Sequence, residues 1–196
     1  MHHTIFDTPL LNTLLRAGSR AFLYLARWRV EGCPHAVPAK CVLIAAPHTS
    51  NWDLPYTLMA AFALGMKPYW MGKASLFRAP FGAPMRWLGG IAVNREQSSN
   101  MVAASVAALA QAVGPAQLIV APEGTRRATR QWKTGFYYIA LGAGVPIQLA
   151  YISHRHKRVG LGPLLQPSGD MARDMVMIKA FYAPFLGRDT PQPEAG

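Results

Sequence analysis

Acidic residues are scarce in this chain of 196 residues. It holds 9 Asp and Glu against 20 Lys and Arg, so its formal net charge is +11, although charged residues of both signs make up only 15% of the sequence. A hydrophobic content of 51% excludes a disordered chain. The excess of positive charge fits nucleic acid, an anionic membrane surface or a phosphorylated substrate as partner, and composition does not choose among these three.

Cysteine is also rare. Cys33 and Cys41 are too few for a disulfide framework, and no Cys-x-x-Cys pair is present to form a zinc site. A single bridge between the two is one possibility, and a reduced pair in a cytosolic protein is the expected state.

The sequence lacks both a secretory signal and an uninterrupted apolar segment long enough to cross a membrane. The apolar stretch at residues 21–26 is too short for a signal and has arginine on both sides. The longest stretch without a charge, residues 97–122, is interrupted by polar residues and a Gly-Pro pair. We interpret it as an alanine-rich helix followed by a buried strand.

Residues 9–28 show apolar side chains at helical spacing, with no acidic residue between positions 7 and 31. The same region carries four arginines: Arg16, Arg20, Arg27 and Arg29. A basic amphipathic helix of this kind suits the interface of an anionic bilayer. It suits equally a helix that packs on the core and leaves its arginines in water. We therefore expect residues 1–31 to form a basic amphipathic segment that either contacts a membrane or packs on the core.

Beyond a proline-containing linker at residues 32–40, short apolar strands alternate with helices. Strands are predicted at residues 41–46, 68–71, 90–94, 117–121 and 145–152, with an edge strand at 159–165. Helices are predicted at residues 54–65, 99–113, 135–141 and 170–181, with a broken helical segment at 75–88. The alternation predicts an α/β fold with a mainly parallel sheet flanked by helices, and the length predicts a single domain, 1–196, with its core at 41–186. Such sheets bind ligands at the carboxyl ends of their strands.

A histidine and an aspartate follow the first of these strands in the sequence HTSNWD. On one helix they would point in different directions, so they can meet only if His48 lies in the turn and Asp53 in the first helical turn. Ser50 and Asn51 are capping residues and Pro55 suits a first turn, which favours that arrangement. A carboxylate bonded to one imidazole nitrogen makes the other nitrogen a better general base. In the alternative interpretation, Asp53 caps the helix and His48 only occupies the turn.

Cations follow three further strands. Lys73 and Arg95 come after the strands at 68–71 and 90–94, and the PEGTR sequence follows the strand at 117–121. That sequence supplies four candidate ligand residues: Glu123, Gly124, Thr125 and Arg126. Glycine allows a ligand to approach the backbone closely, and arginine can hold a phosphate through two hydrogen bonds. The alternative is a polar turn that leads into a solvated basic helix, because Arg127, Arg130 and Lys133 follow.

The sequence HRHKR at residues 154–158 is another basic cluster. Two histidines without a nearby cysteine or carboxylate make a poor metal site. We interpret this cluster as a solvated basic loop.

Taken in order, four blocks of the sequence resemble the glycerolipid acyltransferases, the lysophosphatidic acid acyltransferase group that carries the His-x4-Asp motif. HTSNWD is similar to the catalytic block, the segment from Lys73 to Arg95 to the second, PEGTR to the third, and Val145-Pro146-Ile147 to the fourth. The resemblance covers residues 42–152. Pro47 stands where the phosphatidate-forming enzymes usually have asparagine, and this departure leaves the acceptor lipid open.

The resemblance implies a glycerol-3-phosphate acyltransferase-like fold and an O-acyltransferase of phospholipid biosynthesis or remodelling that needs no metal or cofactor. His48 would deprotonate a hydroxyl of a lysophospholipid-like acceptor, which attacks the thioester of acyl-CoA or acyl-carrier protein, and Asp53 would orient His48. The implied binding residues are Lys73, Arg95 and Arg126 for the acceptor's phosphate, Glu123, Gly124 and Thr125 for the shape of its pocket, and Pro146 on the acyl or donor side. The implied location is the cytoplasm, peripheral on the inner face of the cytoplasmic membrane.

A non-catalytic basic module that binds nucleic acid or anionic lipid headgroups is the alternative function. The net charge favours it, but it leaves the four ordered blocks unexplained. We therefore expect an acyl donor, a lysophospholipid-like acceptor and an anionic membrane surface as partners, and no nucleic acid.

Overall fold

The computed structural model describes residues 2–32, 37–48, 50–93, 98–124 and 132–186. Within these residues, one sheet contains seven strands: β1 (Arg29–Glu31), β2 (Lys40–Ala46), β3 (Pro68–Lys73), β4 (Gly90–Val93), β5 (Ala116–Val120), β6 (Ile147–Ser153) and β7 (Arg158–Leu165). The same part of the chain holds six α-helices: α1 (Pro9–Leu25), α2 (Asp53–Leu64), α3 (Gly82–Trp87), α4 (Ser98–Gln111), α5 (Gly135–Ala143) and α6 (Met171–Leu186). The predicted broken helical segment at 75–88 is a 3-10 turn, Ala74–Phe77, followed by α3.

The strand order is β1-β7-β6-β2-β5-β3-β4. Strands β6, β2, β5, β3 and β4 run parallel to one another, whereas β7 is antiparallel to β6 and parallel to β1. The predicted α/β class, with a mainly parallel sheet flanked by helices and an N-terminal helix, is confirmed.

Both faces of the central strand β2 are covered, which explains its continuous apolar sequence. Val42 and Ile44 pack in the cluster that holds residues of α4, α5 and α6, and Leu43 packs on the opposite face against residues of α1, α2 and α3. Cys41, also in β2, is a buried free thiol, and burial raises its pKa to about 12. Cys33 lies outside the described residues.

Helix α1 packs on α2 with one side and leaves another apolar side in solvent. Leu11 and Leu15 are half-buried against the core, and Leu23 is fully buried. Arg20 donates to the backbone oxygen of Ala63 at 3.0 Å, so this arginine lies at the carboxyl end of α2, where the helix dipole favours a cation. Five large apolar side chains of α1 are exposed: Leu10, Leu14, Phe22, Tyr24 and Leu25. No helix in the described ranges has both the length and the apolar character to span a membrane.

The end of the sheet formed by β1 and β7 differs from the sequence prediction. Residues 29–31, for which the sequence predicts no strand, form β1, and the backbone N–H of Arg29 donates to the oxygen of Lys157 at 2.8 Å. The strand predicted at the edge, 159–165, is therefore not an edge strand, because β1 pairs with its outer side. A strand of three residues is too short to show a periodic pattern.

Candidate active site

The carboxyl ends of β2, β3, β5 and β6 meet at one edge of the sheet, because these four strands are parallel. His48 follows β2, Lys73 ends β3, and Glu123 follows β5. The structure thus brings three of the predicted site residues to the same edge. Lys73 is exposed there, and Glu123 is buried.

His48 and Asp53 meet as the sequence predicts. His48 lies in the turn after β2, Asp53 is the first residue of α2, and His48 Nδ1 is 2.8 Å from Asp53 Oδ2. The N-cap position is occupied by Trp52, not by Ser50 or Asn51, but the hydroxyl of Ser50 accepts the backbone N–H of Trp52 at 3.1 Å. The carboxylate of Asp53 also reaches back and accepts the backbone N–H of Ser50 at 2.9 Å.

Asp53 is 4% exposed. Burial acts to raise its pKa, but hydrogen bonds from His48, from the backbone of Ser50 and from His154 outweigh burial and hold the pKa of Asp53 below its ordinary value. An ionised carboxylate only accepts hydrogen bonds, so His48 carries its proton on Nδ1. Its Nε2 is then the basic nitrogen, on a side chain that is 32% exposed.

His154 also belongs to this group of residues, which corrects the interpretation of HRHKR as a solvated loop for this residue alone, since residues 155–158 are exposed. His154 Nε2 lies 2.6 Å from Asp53 Oδ1, and the side chain is only one-third exposed. The signal was present in the sequence, because His154 directly follows the strand β6, whose carboxyl end points to the same edge as that of β2. The basic residues around His154 favour the interpretation as a solvated loop instead.

Glu123 supports the turn that carries His48. Its Oε2 accepts the backbone N–H of His48 at 2.8 Å, across a sequence separation of 75 residues. Burial raises the pKa of Glu123, and the hydrogen bond from His48 only partly offsets that effect. The predicted binding residue Glu123 therefore positions the loop of His48 in this structure.

Gly124 lies in the left-handed region, with φ of +63°, which favours glycine over residues with a side chain. A Cβ on Gly124 would lie 3.0 Å from Cε of Lys133, so the lysine side chain passes directly over this glycine. Lys133 is exposed and therefore places a cation beside the turn of the PEGTR sequence.

The described structure places one predicted site residue away from this edge, and three others lie outside the residues that it describes. Arg95, Thr125 and Arg126 lie outside the described residues. Pro146 lies at the amino end of β6, where its oxygen accepts the N–H of Val42 at 3.0 Å. The length of β6, about 20 Å, separates Pro146 from the edge that holds His48, and its role on the acyl or donor side stays a prediction.

Comparison with known proteins connects this site with one family. The family model described as Acyltransferase matches residues 27–153, a range that includes β1 to β6, His48 and Asp53. Among curated proteins, the chain is similar to the 1-acyl-sn-glycerol-3-phosphate acyltransferases of Salmonella typhimurium, 29% identical over 61% of this chain, and Haemophilus influenzae, 29% identical over 58% of it. The chain spans about half the length of these relatives, 49% and 48%.

A solved structure has the same fold. The crystal structure of the 1-acyl-sn-glycerophosphate (LPA) acyltransferase PlsC from Thermotoga maritima superimposes with a TM-score of 0.61 at 16% sequence identity. The superposition covers 95% of this chain and 81% of that chain.

Proposed function

Because the chain belongs to the acyltransferase family, we propose that it transfers a fatty acyl group from acyl-CoA or acyl-carrier protein to a hydroxyl of a lysophospholipid-like acceptor. The observation that carries this proposal is the hydrogen bond between His48 Nδ1 and Asp53 Oδ2 at the carboxyl edge of a parallel sheet. The names of the curated relatives support a phosphate-bearing acceptor of the 1-acylglycerol-3-phosphate type.

In the proposed mechanism, His48 is the general base. Its Nε2 takes the proton of the acceptor hydroxyl while the hydroxyl oxygen attacks the thioester carbonyl carbon. The tetrahedral intermediate then expels the thiolate, which receives the proton from the His48 imidazolium. The products are an ester and a free thiol. Asp53 stabilises the imidazolium between these steps, as the carboxylate of a catalytic triad does.

We also propose that the enzyme binds an anionic membrane surface through α1. The support is the exposed apolar side of α1, with Leu14 and Leu25 69% and 78% exposed. These two positions are 11 residues apart and therefore lie about 20° apart around the helix. Arg27 and Arg29, both exposed, follow at the end of α1 nearest the site. A lipid acceptor is then available from the same surface.

The decisive test is His48→Ala assayed with radiolabelled acyl-CoA and a panel of lysophospholipids, with identification of the product. We expect kcat/KM to fall by about two to four orders of magnitude, since a positioned general base contributes that much. His156→Ala is the matched control, because His156 is exposed in the turn after β6 and bonds Ser153 rather than Asp53.

Circular dichroism and the melting temperature check that both variants fold. Full activity in the folded His48→Ala variant would contradict the mechanism. If the wild-type protein acylates none of the lysophospholipids, the proposed substrate class is wrong.

A further inference from the structure

His154 bonds the carboxylate oxygen of Asp53 that His48 does not bond. His48 Nδ1 bonds Oδ2 at 2.8 Å and His154 Nε2 bonds Oδ1 at 2.6 Å, so two imidazoles hold the two oxygens of one carboxylate. The residues come from distant parts of the chain: His154 stands 101 positions after Asp53 and meets it because β6 is the neighbour of β2.

The ring of His154 is held in place by two aromatic side chains. Trp28 and Tyr56 stack on each other, with centroids 4.1 Å apart and an interplanar angle of 21°. The imidazole of His154 stands edge-on to both, at 5.3 Å from Trp28 and 5.6 Å from Tyr56, each at 84°. The ring that bonds Asp53 through Nε2 thus packs against two aromatic side chains.

We infer that His154 is a positioning residue of the acyl transfer reaction, which locks the Asp53 carboxylate in the orientation that His48 requires. The inference rests on the proposed function. His48 and the backbone of Ser50 both bond Oδ2, and His154 bonds Oδ1. Rotation of the carboxylate about its Cβ–Cγ bond would break the bond from His154, so this bond opposes the rotation. It thereby keeps Nδ1 of His48 protonated and Nε2 available as the base.

A metal site is the other use that two histidines and a carboxylate could have. In the ranges that the structure describes, no group of three His, Cys, Asp or Glu side chains is arranged to hold a metal ion. The ring nitrogens of His48 and His154 instead face different oxygens of Asp53, which is the geometry of hydrogen bonds.

Three variants separate the hydrogen bond from the packing. His154→Phe keeps a ring against Trp28 and Tyr56 but removes the donor, whereas His154→Gln keeps an N–H at a similar reach. His156→Phe is the control in the same turn. We expect kcat of His154→Phe to fall by about tenfold to a hundredfold, as for the loss of a hydrogen bond to a charged group. We expect KM for both substrates to change less than twofold, His154→Gln to recover most of kcat, and His156→Phe to behave as wild type.

A second measurement does not depend on activity. Long-range ¹H–¹⁵N spectra of the imidazoles show which ring nitrogens are protonated, and spectra of His48→Ala and His154→Phe assign the signals. We expect His154 to be protonated on Nε2 in the wild type, and the signals of His48 to shift in His154→Phe but not in His156→Phe.

Three results would overturn the inference: an unprotonated Nε2 on His154, His48 signals that do not respond to His154→Phe, or equal loss of kcat in the Phe and Gln variants. The first two are read from the spectra even if no acyl transfer is found. Failure of the proposed function, seen as an inactive wild type, is thus distinguished from failure of the positioning role.

Discussion

At the residue scale, Lys73 and Lys133 are two of the described cations near the candidate site. Lys73 ends β3 at the edge that holds His48, and Lys133 passes over Gly124. Lys40 begins β2 and is therefore at the opposite edge, where its Nζ bonds the oxygen of Ala110 at 3.3 Å. The chain thus offers a matched control for a phosphate pocket.

We expect Lys73→Met and Lys133→Met each to raise KM for a phosphorylated acceptor by about twofold to fivefold, because contacts between exposed charges are worth roughly 0.2–1 kcal/mol. KM for the thioester should change less, and Lys40→Met should change neither value. The measurement is steady-state kinetics with each substrate varied in turn. Equal increases for both substrates would argue against a pocket that recognises the acceptor's phosphate at this edge.

Part of the site is predictable from sequence at this scale. The contact between His48 and Asp53 is local, formed across one strand-to-helix turn, so their spacing and the residues around them suffice to predict it. The contact of Asp53 with His154 is not local. It requires β6 to lie beside β2, and no residue pattern encodes which strands are neighbours. Glu123 was predicted as a ligand residue for its motif, and its bond to the backbone of His48 depends on the same unknown pairing of strands.

At the scale of single elements, a buried carboxylate of α6 accepts a hydrogen bond from a side chain of α5. Asp174, 1% exposed, accepts the hydroxyl of Tyr137 at 2.8 Å and both the backbone N–H and the hydroxyl of Ser168, at 2.7 and 2.9 Å. Burial acts to raise the pKa of Asp174, but these hydrogen bonds outweigh it and lower the pKa below its ordinary value.

We expect Asp174→Asn to lower the free energy of unfolding by about 1–3 kcal/mol at pH 7, since it weakens several hydrogen bonds to a buried charge. A lowered pKa in the folded state means that the carboxylate stabilises the fold above its unfolded pKa, near pH 4, and that this contribution is lost as the pH falls through the folded pKa. The difference between variant and wild type should therefore shrink below about pH 4.

Urea unfolding at pH 7 and at pH 3 measures this difference. Asp170→Asn is the control, because Asp170 is an exposed residue whose Oδ1 accepts the N–H of Arg173 at the start of α6, and asparagine caps helices as well as aspartate does. An equal difference in the free energy of unfolding at both pH values would show that the charge of Asp174 does not stabilise the packing of α6.

The elements themselves were predictable where the pattern is long. All of the helices at 9–28, 54–65, 99–113, 135–141 and 170–181 are present, with ends that shift by a few residues. The short strand β1 was missed, because three residues with charged side chains at both ends carry no hydrophobic periodicity. Its pairing with β7 changes that strand from an edge strand to an inner one.

At the scale of the whole molecule, α1 packs on the core, which is one of its two predicted alternatives, and contact with a membrane stays a prediction. One side of the helix packs on α2, and Leu10, Leu14 and Leu25 remain on the outside. The packed side follows from helical periodicity, but the sequence could not show which leucines would find a partner. That depends on the position of α2.

We expect the double variant Leu14→Glu, Leu25→Glu to lower binding to vesicles that contain anionic phospholipid by about tenfold or more, since each leucine contributes roughly 1.5–3 kcal/mol when fully buried. Val113→Glu is the control, because Val113 is 98% exposed in the loop before β5, at the edge away from His48. Co-sedimentation with vesicles at two salt concentrations gives the measurement. Unchanged binding by the double variant would contradict the proposed membrane contact through α1.

The central position of β2 also sets the order in which the protein can be completed during its synthesis. His48 and Asp53 are synthesised before β5 and β6, which pair with β2 and follow it by more than 65 and 100 residues. A nascent chain that ends at residue 146 has His48 and Asp53 but leaves one side of β2 without its partner strand, and His154 is not yet made. Pairings of such long range are slow to form. The edge that holds His48 and His154 can therefore be completed only after β6 and His154 have been synthesised.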